Sequence, residues 1–254
     1  TQRVVSVIWK LDGTSTSKVT YDSLPHTVTA QVGNLVGSET CYINIGSGSG
    51  ATVVGSYKAK DLTLSGDNAS NYTLTGSTGT AFDWTITKRQ LSATFTAESP
   101  TYDGIYQGRS ITITNIGTND CNSEKLSFTT TGSTTSQIIH NYGNSEGYTS
   151  YVISFMDIDA GDYTAKIATL IGSSAENYDM PNTVVTNFSI AKLPVVIVWD
   201  YDYFEYDATT HTVTPTVSNL KTRADDGTKD TVTLTYSGNT AVHSGNNYTA
   251  TVTA

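Results

Sequence analysis

Apolar and polar positions alternate along this chain in short runs. VVSVIW, TVTAQV, SITITNI, VVIVW, TVTLTY and YTATVT carry Val, Ile or an aromatic residue at buried-type positions, with Thr recurring between many of them. Alternate side chains of a strand share a face, so such runs predict one buried and one wet face. Gly, Asn, Asp and Ser bound the runs, as turn residues bound strands. No window of about 11 residues or more keeps the i, i+3, i+4, i+7 spacing of an amphipathic helix. The pattern predicts an all-β chain.

The runs recur in a fixed order. VTYDSLPHTVTAQVGNL at 19–35, PTYDGIYQGRSITITNI at 100–116 and FEYDATTHTVTPTVSNL at 204–220 are three copies of one block, aligned on Tyr21, Tyr102 and Tyr206. In each copy Asp follows the Tyr, and Asn34, Asn115 or Asn219 precedes an apolar residue near the end. A second block, GSYKAKDLTLSGDNASNYTL at 55–74, is matched by GDYTAKIATLIGSSAENYDM at 161–180, and a third, WTITK at 84–88, by FSIAK at 188–192. Fixed offsets of this kind mark a repeat protein. The period predicts modules at 1–87, 88–191 and 192–254, the second with an insert near 132–155. The third copy reaches SGNNYTATVTA at 244–254 and lacks the later blocks. A sequence cut inside a module is the expected reason, since a sandwich without its closing strands leaves an open edge. Many short strands in modules of this size fit immunoglobulin-like β-sandwiches joined as an elongated array. The Cys…Trp…Cys pattern of antibody domains is missing, so the cores must rest on apolar packing.

The repeated Tyr–Asp has a physical reading. A Tyr at a strand start can bury its ring while its hydroxyl reaches a backbone partner, which would anchor a corner of the sandwich. The Asp can accept from the amide two residues on and start a turn, and Gly104 supplies a positive φ without strain. Ser23 and Ala208 replace that Gly, so the three turns are expected to differ. Tyr102–Asp103–Gly104, the recurrent NY(T/D)(L/M) at 71–74 and 177–180, and the closing ITK or IAK resemble the YDG/MBG-type repeats of bacterial surface proteins and adhesins. The resemblance covers essentially the whole chain. It implies an exported, extracellular, cell-surface or cell-wall-associated and generally non-enzymatic protein.

Composition narrows the partners. The 14 Lys and Arg stand against 23 Asp and Glu, a net charge of −9, and no basic cluster exists to neutralise phosphates; nucleic acid and anionic membrane surfaces are poor partners. Charged residues are 15% and hydrophobic residues 37%, which excludes a disordered acidic tail. No stretch reaches the roughly 20 apolar residues of a membrane span. The chain opens TQRVV, without Met or signal peptide, as a mature or excised fragment would. Cys41 and Cys121 fall 20 and 19 residues after Tyr21 and Tyr102, so they occupy matching places in successive modules and are expected as two thiols, with a bridge between modules the less favoured reading.

Candidate chemistry is sparse. His26 and His211 each lie five residues after a repeat Tyr and are expected to be structural; His140 and His243 lack metal-site spacing. No nucleophile elbow, zinc-binding HExxH, Walker loop or dinucleotide fingerprint occurs. DIDAGD at 157–162 and DYDYFEYD at 200–207 put carboxylates on alternate residues, a spacing that could share a Ca²⁺, with Asp200 and Asp202 the first candidates. The plainer reading is a solvated strand face and a turn. An intramolecular Lys–Asn isopeptide bond would need a buried Lys, and Lys is almost never fully buried. Of the N-x-S/T sequons at Asn68, Asn71, Asn187 and Asn247, two fall inside the repeated NYT motif, which favours a structural role. The insert holds HNYGNSEGYTSY at 140–151, whose Tyr142, Tyr148 and Tyr151 are the candidate ligand-binding residues. Two functions follow. One is a non-enzymatic structural or spacer region; the other is an adhesin-type module that recognises a host glycan or extracellular-matrix protein through the insert.

Overall fold

The alternating runs become half-buried strands. His26–Val32 buries His26, Val28 and Ala30 and exposes Thr27, Thr29 and Gln31. Tyr151–Asp157 buries Tyr151, Ile153, Phe155 and Asp157 in the same rhythm. The computed structural model describes residues 1–96, 99–133, 136–141, 150–181, 185–241 and 249–253, with the backbone alone for 136–141 and 253.

Residues up to 87 form a sandwich of two sheets. One sheet orders Val7–Leu11, His26–Val32 and Gly50–Ala51; the other orders Lys18–Thr20, Phe82–Thr87, Gly55–Ser65 and Tyr42–Ser47. The chain crosses between the sheets after Leu11, so Lys18–Thr20 lies parallel to the closing strand Phe82–Thr87. Leu11, Val28, Ala59, Trp84 and Ile86 fill the space between the sheets. A second cluster of Val5, Ala30, Cys41, Ile43 and Tyr72 fills one end.

The next stretch repeats the plan. Ser92–Phe95, Gln107–Thr114, Tyr151–Asp157 and Ser136–Asn141 make one sheet, and Ser127–Gly132, Gly161–Ile171 and Val185–Ile190 the other. The parallel pairing reappears as a bridge from Thr101 to Ala191. The second and third sequence blocks prove to be cross-strand partners. Tyr57 lies opposite Trp84 and Tyr163 opposite Phe188, with ring centroids 4.8 and 5.3 Å apart. Both tyrosines donate backwards to a loop carbonyl at 2.6 Å, Val53 in one case and Asp159 in the other. Such aromatic pairs are worth about 0.5–1.5 kcal/mol beyond their buried area. Cys41 and Cys121 are both buried and unbridged, and the Cys121 thiol donates to the Ser150 carbonyl.

The extra sequence of the second sandwich is an added hairpin that lengthens a sheet. Ser136–Asn141 pairs antiparallel with Tyr151–Asp157, whose other edge pairs with Gln107–Thr114. The first sandwich has only Gly50–Ala51 at this place. From 192 onward the pairings are short: Ile197–Trp199 with Pro215–Val217, His211–Thr212 with Thr240–Ala241, and Thr235–Ser237 with Thr251–Thr253. Pro215 alone among the described residues of this region is buried.

The Tyr–Asp turn is the same in all three copies, contrary to the expectation from Ser23 and Ala208. Asp22, Asp103 and Asp207 each accept from the amide two residues on, at 2.8, 3.1 and 2.9 Å. The residue after the Asp takes a left-handed conformation every time, φ +71° at Ser23, +86° at Gly104 and +61° at Ala208. The carboxylate clamp over-determines the turn, so a non-Gly residue is held where it would not settle alone. A left-handed Ala costs about 1–2 kcal/mol, against about 0.4–1 kcal/mol for the added freedom of Gly in the unfolded chain. Ala208→Gly should therefore slow hydrogen exchange of the 211–217 amides by a few-fold, while Gly104→Ala, whose Cβ would sit 2.6 Å from the Thr222 carbonyl oxygen, should accelerate exchange around 101–107. Equal effects of the two changes would refute a shared turn.

Candidate functional site at the module junctions

The closing strand of one sandwich leads straight into the next. Phe82–Thr87 ends at Lys88, and Arg89–Gln90 at once pairs in parallel with Tyr178–Asp179 of the second sandwich. Little slack separates the two bodies. Tyr21 lies beside this crossing because its amide donates to Thr87, at the end of the parallel pair. Tyr102 is placed the same way by Ala191, at 2.8 Å.

From that position the Tyr21 hydroxyl does not turn back to its own backbone, as the sequence reading expected. It donates across the junction to Asp120 Oδ2 at 2.6 Å. Tyr178 donates to the same oxygen at 2.8 Å, and Ser174 Oγ to Oδ1 at 3.0 Å. The two tyrosine rings meet edge to face, centroids 5.4 Å apart at 86°. Asp120 is 2% exposed and Tyr21 3%, so a buried carboxylate is satisfied by three hydroxyls drawn from two modules. Hydrogen bonds to a charged group are worth about 1.5–3 kcal/mol each, and losing one partner of a buried set costs at least as much. Burial, with the Asp120 hydrogen bond second, pushes the Tyr21 hydroxyl up to about 12, and burial pushes Tyr178 up as well.

Polar clamps surround this centre. Ser23 Oγ accepts from the Asn119 amide at 3.0 Å and the Ser23 carbonyl accepts from Asn119 Nδ2 at 3.1 Å. Arg89 donates to the Tyr21 carbonyl at 3.2 Å, and Asn177 Oδ1 accepts from the Val54 amide at 2.9 Å. Gly117 permits the approach: a Cβ there would stand 2.7 Å from Ser23 Oγ and 3.0 Å from the Asp22 carbonyl. Its amide donates to the Tyr178 hydroxyl at 2.9 Å.

The next junction uses the same tyrosine with a more open surround. Tyr102 donates to Asp230 Oδ1 at 2.8 Å, and the Ala224 amide to the Gly104 carbonyl at 2.8 Å. Arg223 pairs with Asp159 across this junction and with Asp225 at 2.8 Å; these hydrogen bonds hold its guanidinium above its usual range. Tyr206, the third copy, is 64% exposed.

The other candidates fall elsewhere. Tyr142 and Tyr148 lie outside the described residues, as does His243. Tyr151 is 1% exposed and donates its hydroxyl to the Leu126 carbonyl, so it is core and offers no sugar-stacking face. Asp200 Oδ1 accepts from the Thr214 amide at 2.8 Å, and Asp202 is exposed. Among the described residues no three His, Cys, Asp or Glu come together as a metal group. The other acidic run is structural: buried Asp157 accepts from the Ile158 amide, and Asp159 serves the Arg223 pair. His26 hydrogen-bonds Asp12 at 2.7 Å through Nδ1, with Nε2 3.2 Å from Asp22 but not hydrogen-bonded to it, while His211 hydrogen-bonds Asp207 at 2.9 Å and braces the third turn. Sequence reasoning missed Asp120 and Gly117. The available signal was a carboxylate 18 residues after the repeat Tyr, Glu39 after Tyr21 and Asp120 after Tyr102.

The chain matches no sequence-family profile and no curated protein. Among solved structures it is similar to FdeC, an Escherichia coli adhesin, at 14% identity over 84% of this chain and 73% of that one, TM-score 0.32. It is also similar to invasin, a bacterial integrin-binding protein, at 12% identity over 91% and 55%, TM-score 0.31. A third is InvD of Yersinia pseudotuberculosis, at 12% identity over 97% and 81%, TM-score 0.29. Scores of this size carry no inference about binding or activity.

Two outcomes follow. Tyr21→Phe leaves Asp120 one donor short, so it should lower the stability of the first two modules by about 1.5–3 kcal/mol in urea unfolding. Folded Tyr21 holds its proton up to about 12 against an ordinary value of 10, so its contribution is complete below pH 10 and is lost as pH rises through about 12. The thermal midpoint should fall over that window, and less steeply in Tyr21→Phe; equal slopes would remove the junction from the alkaline transition.

Proposed function

We propose that the chain is a non-enzymatic spacer region of an exported bacterial surface protein, in which consecutive immunoglobulin-like modules are locked into a stiff rod segment. One observation carries the reading: a buried carboxylate at the first junction is shared by tyrosines from both modules, with no free linker between them. A flexible tether would leave such groups to water. Inter-domain motion is the default unless an interface is well buried, and the continuous cluster that joins Trp84, Tyr21, Tyr178 and Ile111 meets that condition. The resemblance of the Tyr–Asp blocks to surface-protein repeats, the Thr-rich wet strand faces and the net charge of −9 support the extracellular setting and argue against nucleic acid as partner.

The test is small-angle scattering with Gly117→Ala. That change adds one methyl against the Ser23 side chain and the Asp22 carbonyl of the preceding module. The unaltered chain should fit one fixed arrangement of the first two modules. The variant should need a spread of inter-module angles while each module keeps its circular dichroism. A variant as well fitted by one arrangement would sink the rigid-spacer reading.

A further inference from the structure

The closing strand of each sandwich is gripped along both edges. On one edge the two sandwiches agree: Gly55–Ala59 pairs with Phe82–Ile86, and Gly161–Lys166 with Val185–Ile190. On the other edge lies the short parallel strap that precedes each repeat tyrosine, and here they differ. In the first sandwich Lys18, Val19 and Thr20 stand opposite Thr85, Ile86 and Thr87. The Thr85 amide donates to the Ser17 carbonyl at 3.0 Å, and the Tyr21 amide to the Thr87 carbonyl at 2.9 Å. Val19 is the middle residue, and in this register its N–H and C=O both face the closing strand. Thr87 Oγ1 adds a bond to that carbonyl at 3.1 Å.

Pro100 takes the place of Val19 in the second sandwich, two residues before the repeat tyrosine in each case. Proline has no N–H to give to a ladder. What is left among the described residues is one bridge, Thr101 to Ala191. The Tyr102 amide donates to the Ala191 carbonyl and the Ala191 amide to the Pro100 carbonyl, each at 2.8 Å. Arg109 makes up part of the loss. Its Nε donates to the Thr96 carbonyl, and its Nη1 to the Asn187 carbonyl at 2.9 Å and to Thr186 Oγ1 at 2.6 Å. This clasp ties the end of the first strand to the closing strand through a long side chain.

Tension reaches a sandwich through its first strand and leaves through its closing strand. The strap runs parallel to the closing strand, and the two are drawn from opposite ends, the strap from its start and the closing strand from its finish. Their bonds are sheared together, so none breaks until all slip. A single bridge has no neighbours to share that pull. The Arg109 clasp does not replace them, because a long side chain reorients and gives up its bonds one after another. Forced unfolding follows the unfolding rate and not the overall stability. The added hairpin, which pairs within the other sheet, therefore does not offset the missing strap.

We propose that the two sandwiches form a graded tether, in which tension along the chain opens the second sandwich before the first and Pro100 sets that order. This is a function beyond spacing: the region lengthens at a limited pull while the first sandwich stays folded. That use rests on the spacer reading, but the order of opening does not, since each strap lies inside its own sandwich. A flexible junction would sink the spacer reading and leave the order intact.

The test is to stretch the full chain between its ends in an optical trap. Steps are assigned by length, because residues 88–191 release roughly 60 Å more chain than residues 1–87 at about 3.6 Å per residue. The longer release should come at the lower force. Pro100→Val restores the N–H with a residue suited to extended backbone; it should raise the force of the longer release and leave the shorter one unchanged. Val19→Pro makes the converse cut and should lower the force of the shorter release. The proposal is overturned if the shorter release comes first or if one step frees both sandwiches. It is overturned equally by a longer release indifferent to Pro100→Val, or a shorter one indifferent to Val19→Pro.

Discussion

A buried carboxylate must be paid for with hydrogen bonds, and Asp120 finds them on both sides of a module boundary. Its own module supplies Tyr178 and Ser174; the preceding one supplies Tyr21. Neither module alone satisfies the group in this way, so each stabilises the other's position. The parallel strand pairs are arranged to make this possible. Tyr21 is registered beside the closing strand, and that strand is the one that crosses into the next module.

The repeat is therefore built from two halves of one contact. Each of the first two modules offers a tyrosine turn at one end and a carboxylate with a second tyrosine at the other. The turn is held by its Asp and, in the third copy, by a histidine four residues on. The repeated Asn near the end of the block clips the first strand of its module: Asn34 to Ser6 and Val4, Asn115 to Gln90, Asn219 to Val196 and Pro194. These polar side chains fix the ends of the sandwich while apolar strands fix its middle. Hydrophobic area is non-directional, whereas hydrogen bonds set orientation.

The hairpin of the second module modifies this plan without disturbing it. Ile153 and Phe155 stay in the core, and the added strand extends the sheet outward. The tyrosine at its root, Tyr151, packs edge to face on Phe128 at 5.2 Å. Sequence position inside an insertion was therefore a poor guide to exposure, because the returning strand of a hairpin can be a core strand.

The sequence by itself determined what is local or periodic. Strands follow from a two-residue alternation, turns from Asp and its neighbours, and the module plan from offsets repeated along the chain. All are written in short stretches and need no knowledge of distant residues. The tertiary structure decided what the repeated tyrosine is for. Its partner lies 99 residues away in one junction and 128 in the other, and the second acceptor, Asp230, sits at a different offset from its repeat than Asp120. It also decided that Ser23 and Ala208 keep the glycine-like turn, because the clamp outweighs backbone preference. A hydroxyl can donate to any acceptor within reach, and only the packing of one module on the next determines which acceptor that is.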